Sequence, residues 1–227
     1  MLNNQSLMQR FTLIHDGSSQ GWQAAYLAFD VAARLGAPLQ VLLLDSKDPE
    51  LVAQNAMQLQ TAARAAGVPL ETQVVEDFST ESVFRSAAAI NGLFLPHGLL
   101  PDADAAMRFL EALSCPLWIV ADELRTRQMV VLVENLTGDE DLIAYAVILS
   151  QRMSETLTAL TLNEEASQKL QSNPDISWMP LQEFSEARIV SALDQLHADL
   201  LCIKQANFSL AHGLGCTYLI YPGVAVA

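Results

Sequence analysis

The residues of this chain that could do chemistry lie where predicted apolar strands end. His15-Asp16-Gly17-Ser18 follows a strand-like run that begins at Phe11, and Pro96-His97-Gly98 follows the run Leu93–Leu95. Open α/β sheets bind ligands at the carboxyl ends of their strands, so Asp16 could hydrogen-bond the ribose or base of a ligand. Asp16 could equally act as a helix N-cap or a turn residue.

Two histidines extend this set of candidates. His15 and His97 stand at the predicted ends of two strands that could be neighbours, and with Asp16 they could form a proton-transfer or metal site. The sequence lacks Gly-x-Ser-x-Gly, Gly-Lys-Ser, Gly-x-Gly-x-x-Gly and Cys-x-x-Cys patterns, which argues against serine hydrolases, P-loop enzymes, dinucleotide sites and zinc sites. We therefore expect a protein without catalytic residues and without a metal.

Composition limits the partners that the chain can have. Its 227 residues are 51% hydrophobic and 17% charged, and the net charge is −14. This balance indicates well-filled cores and disfavours nucleic acid and anionic membrane surfaces, which both require a basic footprint. The polar N-terminus lacks the apolar core of a signal peptide, and no run could span a bilayer. We expect a cytoplasmic protein whose three cysteines are buried thiols.

The elements that would position these residues occur in a pattern that repeats once. Strand-like and helix-like runs alternate, as is typical of parallel α/β units. Phe11–Gly17 opens the first half and Cys115–Val120 closes it, while Met129–Asn135 and Cys216–Tyr221 do the same in the second half. Such a duplication indicates two similar domains.

We place the boundary in the short polar stretch that separates the two halves. Domain 1 is predicted over residues 1–122 and domain 2, which is eroded, over residues 127–227, with a short linker at 123–126. The predicted fold class is α/β, with two tandem Rossmann-like domains. Each domain is expected to be a mostly parallel five-stranded sheet flanked by helices.

Several segments give the chain a resemblance to the universal stress protein family. Asp16-Gly17-Ser18 before an alanine-rich helix resembles the start of that family's domain, and Arg34–Leu39 resembles its first helix exit. Phe109–Val120 resembles the closing helix and Cys-Pro strand, and His197–Ile203 resembles the fourth strand of a second domain. The resemblance covers nearly the whole chain and implies a tandem member of the universal stress protein type.

The resemblance breaks at the loop that binds phosphates in the family's nucleotide-binding members. That loop has two glycines and then Gly-Ser or Gly-Thr, whereas only Gly98 remains here and Ala103-Asp104 takes the Gly-Ser position. A carboxylate about 4 Å from a phosphate repels it by about 1 to 4 kcal/mol. In the second half Glu134-Asn135-Leu136 replaces Asp-Gly-Ser, and Lys204–Phe208 replaces the glycine loop. We expect neither domain to bind ATP in the usual way.

These observations favour a non-catalytic stress-response or regulatory protein that binds a protein partner or a small ligand. The candidate ligand-binding residues are Asp16, Gly17, Ser18, His97 and Gly98. No cofactor is expected. The alternative is an adenine-nucleotide-binding or slowly hydrolysing member, binding ATP or AMP through an altered loop in domain 1. A third alternative, an adenine-nucleotide α-hydrolase-like enzyme, would need a fuller phosphate loop after the first strand.

The resemblance also implies how the two domains associate. In the family the fifth strands pair across a dimer, so Leu117–Val120 and Tyr218–Tyr221 are expected to form an intrachain pseudo-dimer. Such pairing would protect edges that could otherwise aggregate. Further association into a homodimer is left open.

Overall fold

The computed structural model divides the chain into two compact units between residues 122 and 123. It describes residues 10–76, 78–79, 83, 92–100, 103–112, 115–121, 128–162, 173–198, 200–208, 214 and 216–222. The sequence also predicts helices that begin at Ser79 and Asn163 and a helix over Phe208–Leu214. These helices and the linker 123–126 lie largely or wholly outside the described residues. Among those residues, no helix is long and apolar enough to cross a membrane.

Unit 1 is a parallel sheet covered by helices. Its strands are β1 (Phe11–His15), β2 (Leu39–Leu44), β3 (Leu70–Val75), β4 (Leu93–Pro96) and β5 (Leu117–Val120), in the order β3-β2-β1-β4-β5. Each of these neighbouring pairs is parallel. Its described helices are α1 (Ser19–Leu35), α2 (Pro49–Ala66) and α3 (Ala103–Ala112).

The apolar sequences of the strands explain why the sheet lies in the core of unit 1. All five residues of β1 are buried, as expected for a strand with both faces covered. Phe94 stacks on Trp118 with ring centroids 5.0 Å apart, and Phe11 meets Phe94 edge-on at 5.7 Å. This aromatic row ties β1, β4 and β5 together.

Glycines and polar caps set the ends of the long helices. Gly36 and Gly67 end α1 and α2 in the left-handed conformation, with φ of 66° and 70°. Asp48 accepts hydrogen bonds from the main chain of Glu50 and Leu51, and Pro49 opens α2 where no amide donor is needed. These residues determine where α2 begins and where both helices end, and therefore where the chain enters the next strand.

Unit 2 repeats the strand order of unit 1. Its strands are β6 (Gln128–Val133), β7 (Thr156–Thr161), β8 (Ser177–Pro180), β9 (Leu200–Lys204) and β10 (Thr217–Tyr221), in the order β8-β7-β6-β9-β10. All four described pairings are parallel. The helices α4 (Leu136–Met153) and α5 (Glu186–Leu196) flank it. The predicted α/β class with parallel five-stranded sheets is therefore confirmed.

The strand order determines where each unit can hold a ligand. From β1 the chain moves to β2 and β3 on one side and then crosses back to β4 on the other. The point at which the order reverses lies between β1 and β4, and its counterpart in unit 2 lies between β6 and β9. Open α/β sheets hold ligands in the crevice at this reversal.

Candidate functional site

The turn after β1 is organised by Asp16 and Ser18. Asp16 Oδ1 accepts hydrogen bonds from Ser18 N at 3.0 Å and from Ser18 Oγ at 2.6 Å. Ser18 is the N-cap of α1, and its Oγ accepts from Gly21 N at 3.0 Å. The turn and capping role considered for Asp16 is therefore divided between two residues. Asp16 holds the turn and Ser18 caps the helix.

Gly17 is required by this turn. Its φ is +78°, a conformation that other residues rarely adopt. A Cβ at this position would lie 2.9 Å from Nδ2 of Asn55, on α2. The positive φ, together with the nearby Asn55 side chain, explains why glycine occupies this position.

The turn after β4 is connected to α1 by one side chain. His97–Leu99 forms a short 3₁₀ turn, and Gly98 N donates a hydrogen bond to Oε1 of Gln20 at 2.9 Å. A Cβ at Gly98 would lie 2.5 Å from that same oxygen. The absence of a side chain at Gly98 thus lets the amide group of Gln20 approach the main chain.

His15 lies buried beneath the β1 turn. It is 0% exposed, and its Nδ1 accepts a hydrogen bond from Gly17 N at 3.1 Å. The neutral ring therefore carries its proton on Nε2, which has no hydrogen-bond partner among the described residues. Its ring stands nearly perpendicular to that of Trp22, with centroids 4.8 Å apart. Burial lowers the pKa of His15, and the nearby Asp16 carboxylate offsets part of that effect.

The structure does not bring the two histidines and Asp16 into a metal site. Within the described ranges, no group of three or more His, Cys, Asp or Glu side chains is placed to hold a metal ion. His15 is buried and bonded to Gly17, whereas His97 is half-buried in the turn after β4. The five candidate residues lie in the turns after β1 and β4, at one edge of the sheet.

The corresponding edge of unit 2 is closed by a charged pair. Asp139, in the first turn of α4, is buried, and its Oδ2 accepts from Glu134 N at 2.8 Å and Asn135 N at 2.9 Å. Its Oδ1 lies 3.0 Å from Nζ of Lys204, the last residue of β9. The acidic run Asp139-Glu140-Asp141 in the sequence predicts a helix that begins near Asp139 and is capped by it. Instead α4 starts three residues earlier, so that the carboxylate folds back onto the strand end.

Sequence reasoning missed three residues of these sites. Gln20 and Asn55 carry no pattern, because each acts on a loop that is distant in sequence. Lys204 did carry a signal, since a lysine directly after a buried strand needs a counter-charge, and Asp139 follows the strand that pairs with β9.

A separate open groove runs between α1 and α2 in unit 1. It has a volume of about 600 Å³ and is mainly apolar, with Tyr26 and Met57 both largely exposed. Seven residues line it: Trp22, Tyr26, Met57, Gln58, Thr61, Ala62 and Ala65. Trp22 therefore contacts the buried His15 and also lines this groove.

Comparison with known proteins finds likeness in structure and none in sequence. No protein-family model matches the chain, and no curated protein matches it. Solved structures do match, over almost the full length of this chain and of their own.

Three solved structures illustrate the match. A Pseudomonas aeruginosa UCBPP-PA14 protein, provisionally assigned as a universal stress protein, superposes with a TM-score of 0.72 at 14% identity, covering 96% of this chain and 94% of that one. The universal stress protein of Archaeoglobus fulgidus DSM 4304 gives 0.68 at 10% identity, covering 96% and 97%. The cytoplasmic domain of a prokaryotic cation chloride cotransporter gives 0.58 at 15%, covering 93% and 95%. At these identities the likeness establishes the fold.

Proposed function

We propose that this chain is a non-catalytic stress-response or regulatory protein of the universal stress type, which acts by binding a protein partner or a small ligand. The full-length likeness to the Archaeoglobus protein supports the type. The same architecture also occurs in a cotransporter domain, and fold alone does not determine activity. The proposal therefore depends on the site.

The observation that carries the proposal is the hydrogen bond from Gly98 N to Gln20 Oε1. In a phosphate-binding loop the glycine amide is left free for the ligand. Here a neutral side chain of the same unit accepts that donor, so a phosphate would have to displace Gln20 first. We propose that this unit lacks the family's usual ATP binding.

The turn after β1 supports the same conclusion. Both the carboxylate of Asp16 and the hydroxyl of Ser18 are used in holding the start of α1. A hydroxyl that caps a helix and donates to a carboxylate is a structural element, which fits a binding protein better than an enzyme. Asp16, Gly17, Ser18, His97 and Gly98 remain candidates for contact with a ligand that needs no triphosphate cradle.

The proposal also covers the cellular location, the classes of partner and the association of the two units. We place the protein in the cytoplasm. We propose no nucleic-acid or membrane partner, because 26 acidic residues outnumber 12 basic ones. The two units are proposed to form an intrachain pseudo-dimer, and homodimers of the chain are a further possibility to be tested by native mass spectrometry.

A thermal shift experiment tests the proposal. The melting temperature of the wild-type chain is expected to stay constant on addition of ATP, ADP or AMP up to millimolar concentration, with and without magnesium. A ligand present at about 100 times its dissociation constant would stabilise the native state by about 2.7 kcal/mol, a shift of several degrees.

The variant Asp16→Ala separates the two functional hypotheses. A nucleotide-dependent rise in wild type that disappears in Asp16→Ala would reject the proposal in favour of the adenine-nucleotide-binding alternative. Asp30→Ala, which removes a carboxylate paired with Arg34 on the far part of α1, is the matched control.

A further inference from the structure

We infer that unit 2 contains a small oxyanion site that its own Asp139 carboxylate occupies. Three donors surround this carboxylate: two consecutive main-chain N–H groups, of Glu134 and Asn135, and the ammonium of Lys204. The donors come from two elements, because the amides follow β6 and the lysine ends β9. The site is therefore more than a helix terminus.

The geometry of the contacts is that of anion recognition. Consecutive main-chain amides that converge on one oxygen form an anion-binding concavity, and an ammonium adds a charge-assisted bond. Asp139 Oδ2 accepts both amides at 2.8 and 2.9 Å, while Oδ1 accepts from Lys204 at 3.0 Å. Each carboxylate oxygen thus has its own donors, as the oxygens of a bound phosphate or carboxylate would.

The position of the site matches that of ligand sites in open α/β sheets. It lies between β6 and β9, where the strand order of unit 2 reverses. The Asp139 side chain is 5% exposed, whereas that of Lys204 is 25% exposed. The lysine is therefore reachable from solvent.

The consequence is that unit 2 needs no external anion to satisfy these donors. If the carboxylate is removed, two amides and a lysine are left facing a space that a free oxyanion can fill. Inorganic phosphate or sulfate is then expected to bind there and to restore stability. This is a chemical-rescue experiment on the full-length chain.

The experiment compares Asp139→Ala with wild type and with the double variant D139A/K204M. Melting temperatures are measured from 0 to 100 mM phosphate at pH 7 and constant ionic strength. Phosphate stabilises proteins in general through exclusion from their surface, so the difference between variants is the readout. We expect D139A to gain about 5 °C more than the other two proteins, with a saturable dose response.

Equal phosphate responses in the three proteins would overturn the inference. Folding of D139A only when phosphate or sulfate is present would support it. If D139A does not fold under either condition, Asp139→Ser is compared with D139S/K204M, because the short hydroxyl side chain leaves space for an anion beside Lys204 and removes the counter-charge of that lysine. No excess response of D139S over that double variant would also overturn the inference. Asp141→Ala, which removes a neighbouring acid, controls for net charge.

Discussion

At the scale of residues, the unit 1 site is made by side chains that accept hydrogen bonds from main-chain amides of the turns after β1 and β4. His15 accepts from Gly17, Asp16 accepts from Ser18, and Gln20 accepts from Gly98. The Gly98 amide is the one of these donors that belongs to the turn after β4. The sequence patterns located this cluster, because strand ends can be recognised from apolar runs followed by Asp-Gly-Ser or Pro-His-Gly.

The buried imidazole leads to a prediction for the pH dependence of stability. Burial lowers the pKa of His15 below its ordinary value of 6.5, so the unfolded chain takes up a proton at a pH where the folded chain does not. Stability from this group is therefore complete above about pH 6.5 and declines as pH falls toward the lower folded pKa. The decline is at most about 1.4 kcal/mol per pH unit.

Urea unfolding of wild type and His15→Phe between pH 7.5 and 5 measures this effect. The phenyl ring keeps the contact with Trp22 but cannot titrate, so its unfolding free energy should fall less steeply in acid. Other groups titrate equally in both proteins and cancel in the difference. Parallel pH profiles would show that His15 is not a buried neutral base.

At the scale of elements, sequence reasoning recovered most strands and the two long helices of unit 1. Aliphatic runs specify buried parallel strands, and Gly36 and Gly67 mark helix ends because only glycine takes a positive φ freely. The start of α4 was placed too late. The acidic run suggested a cap at Asp139, but that carboxylate pairs with Lys204, a contact that no local pattern encodes.

The contribution of the α1 cap can be measured with a matched pair of serines. Ser18→Ala removes the oxygen that accepts from Gly21 N and the hydroxyl that donates to Asp16, and is expected to cost about 1 kcal/mol. Ser19→Ala alters the first helical residue without removing the cap, so it should leave stability within about 0.5 kcal/mol. Urea unfolding followed by circular dichroism gives both values, and equal losses would rule out the capping role.

At the scale of the whole molecule, the two units place chemically different side chains at corresponding positions. In each unit the first turn of the helix after the first strand fills the edge where the strand order reverses. Unit 1 uses the neutral amide of Gln20, held by one hydrogen bond, and unit 2 uses the charged Asp139, held by three donors. We therefore expect a ligand to displace Gln20 more readily than Asp139.

The likeness in fold did not by itself indicate which side chains lie at these strand ends. Structures that superpose over nearly the full chain share 10 to 15% of its residues, so their sites need not be alike. A net charge of −14 is expected to repel polyanions from both units. We therefore base the proposal on the side chains at the strand ends and not on the fold.

The amide resonance of Gly98, followed by ¹⁵N–¹H correlation spectroscopy during a titration with magnesium-ATP to 5 mM, tests the central claim most directly. Gln20→Ala serves as the reference, since loss of the accepting oxygen must move this resonance if the contact exists in solution. We predict that the Gly98 and Gly17 amides of wild type stay in place throughout the titration. Saturable shifts of both amides, with a dissociation constant below 1 mM, would contradict the account.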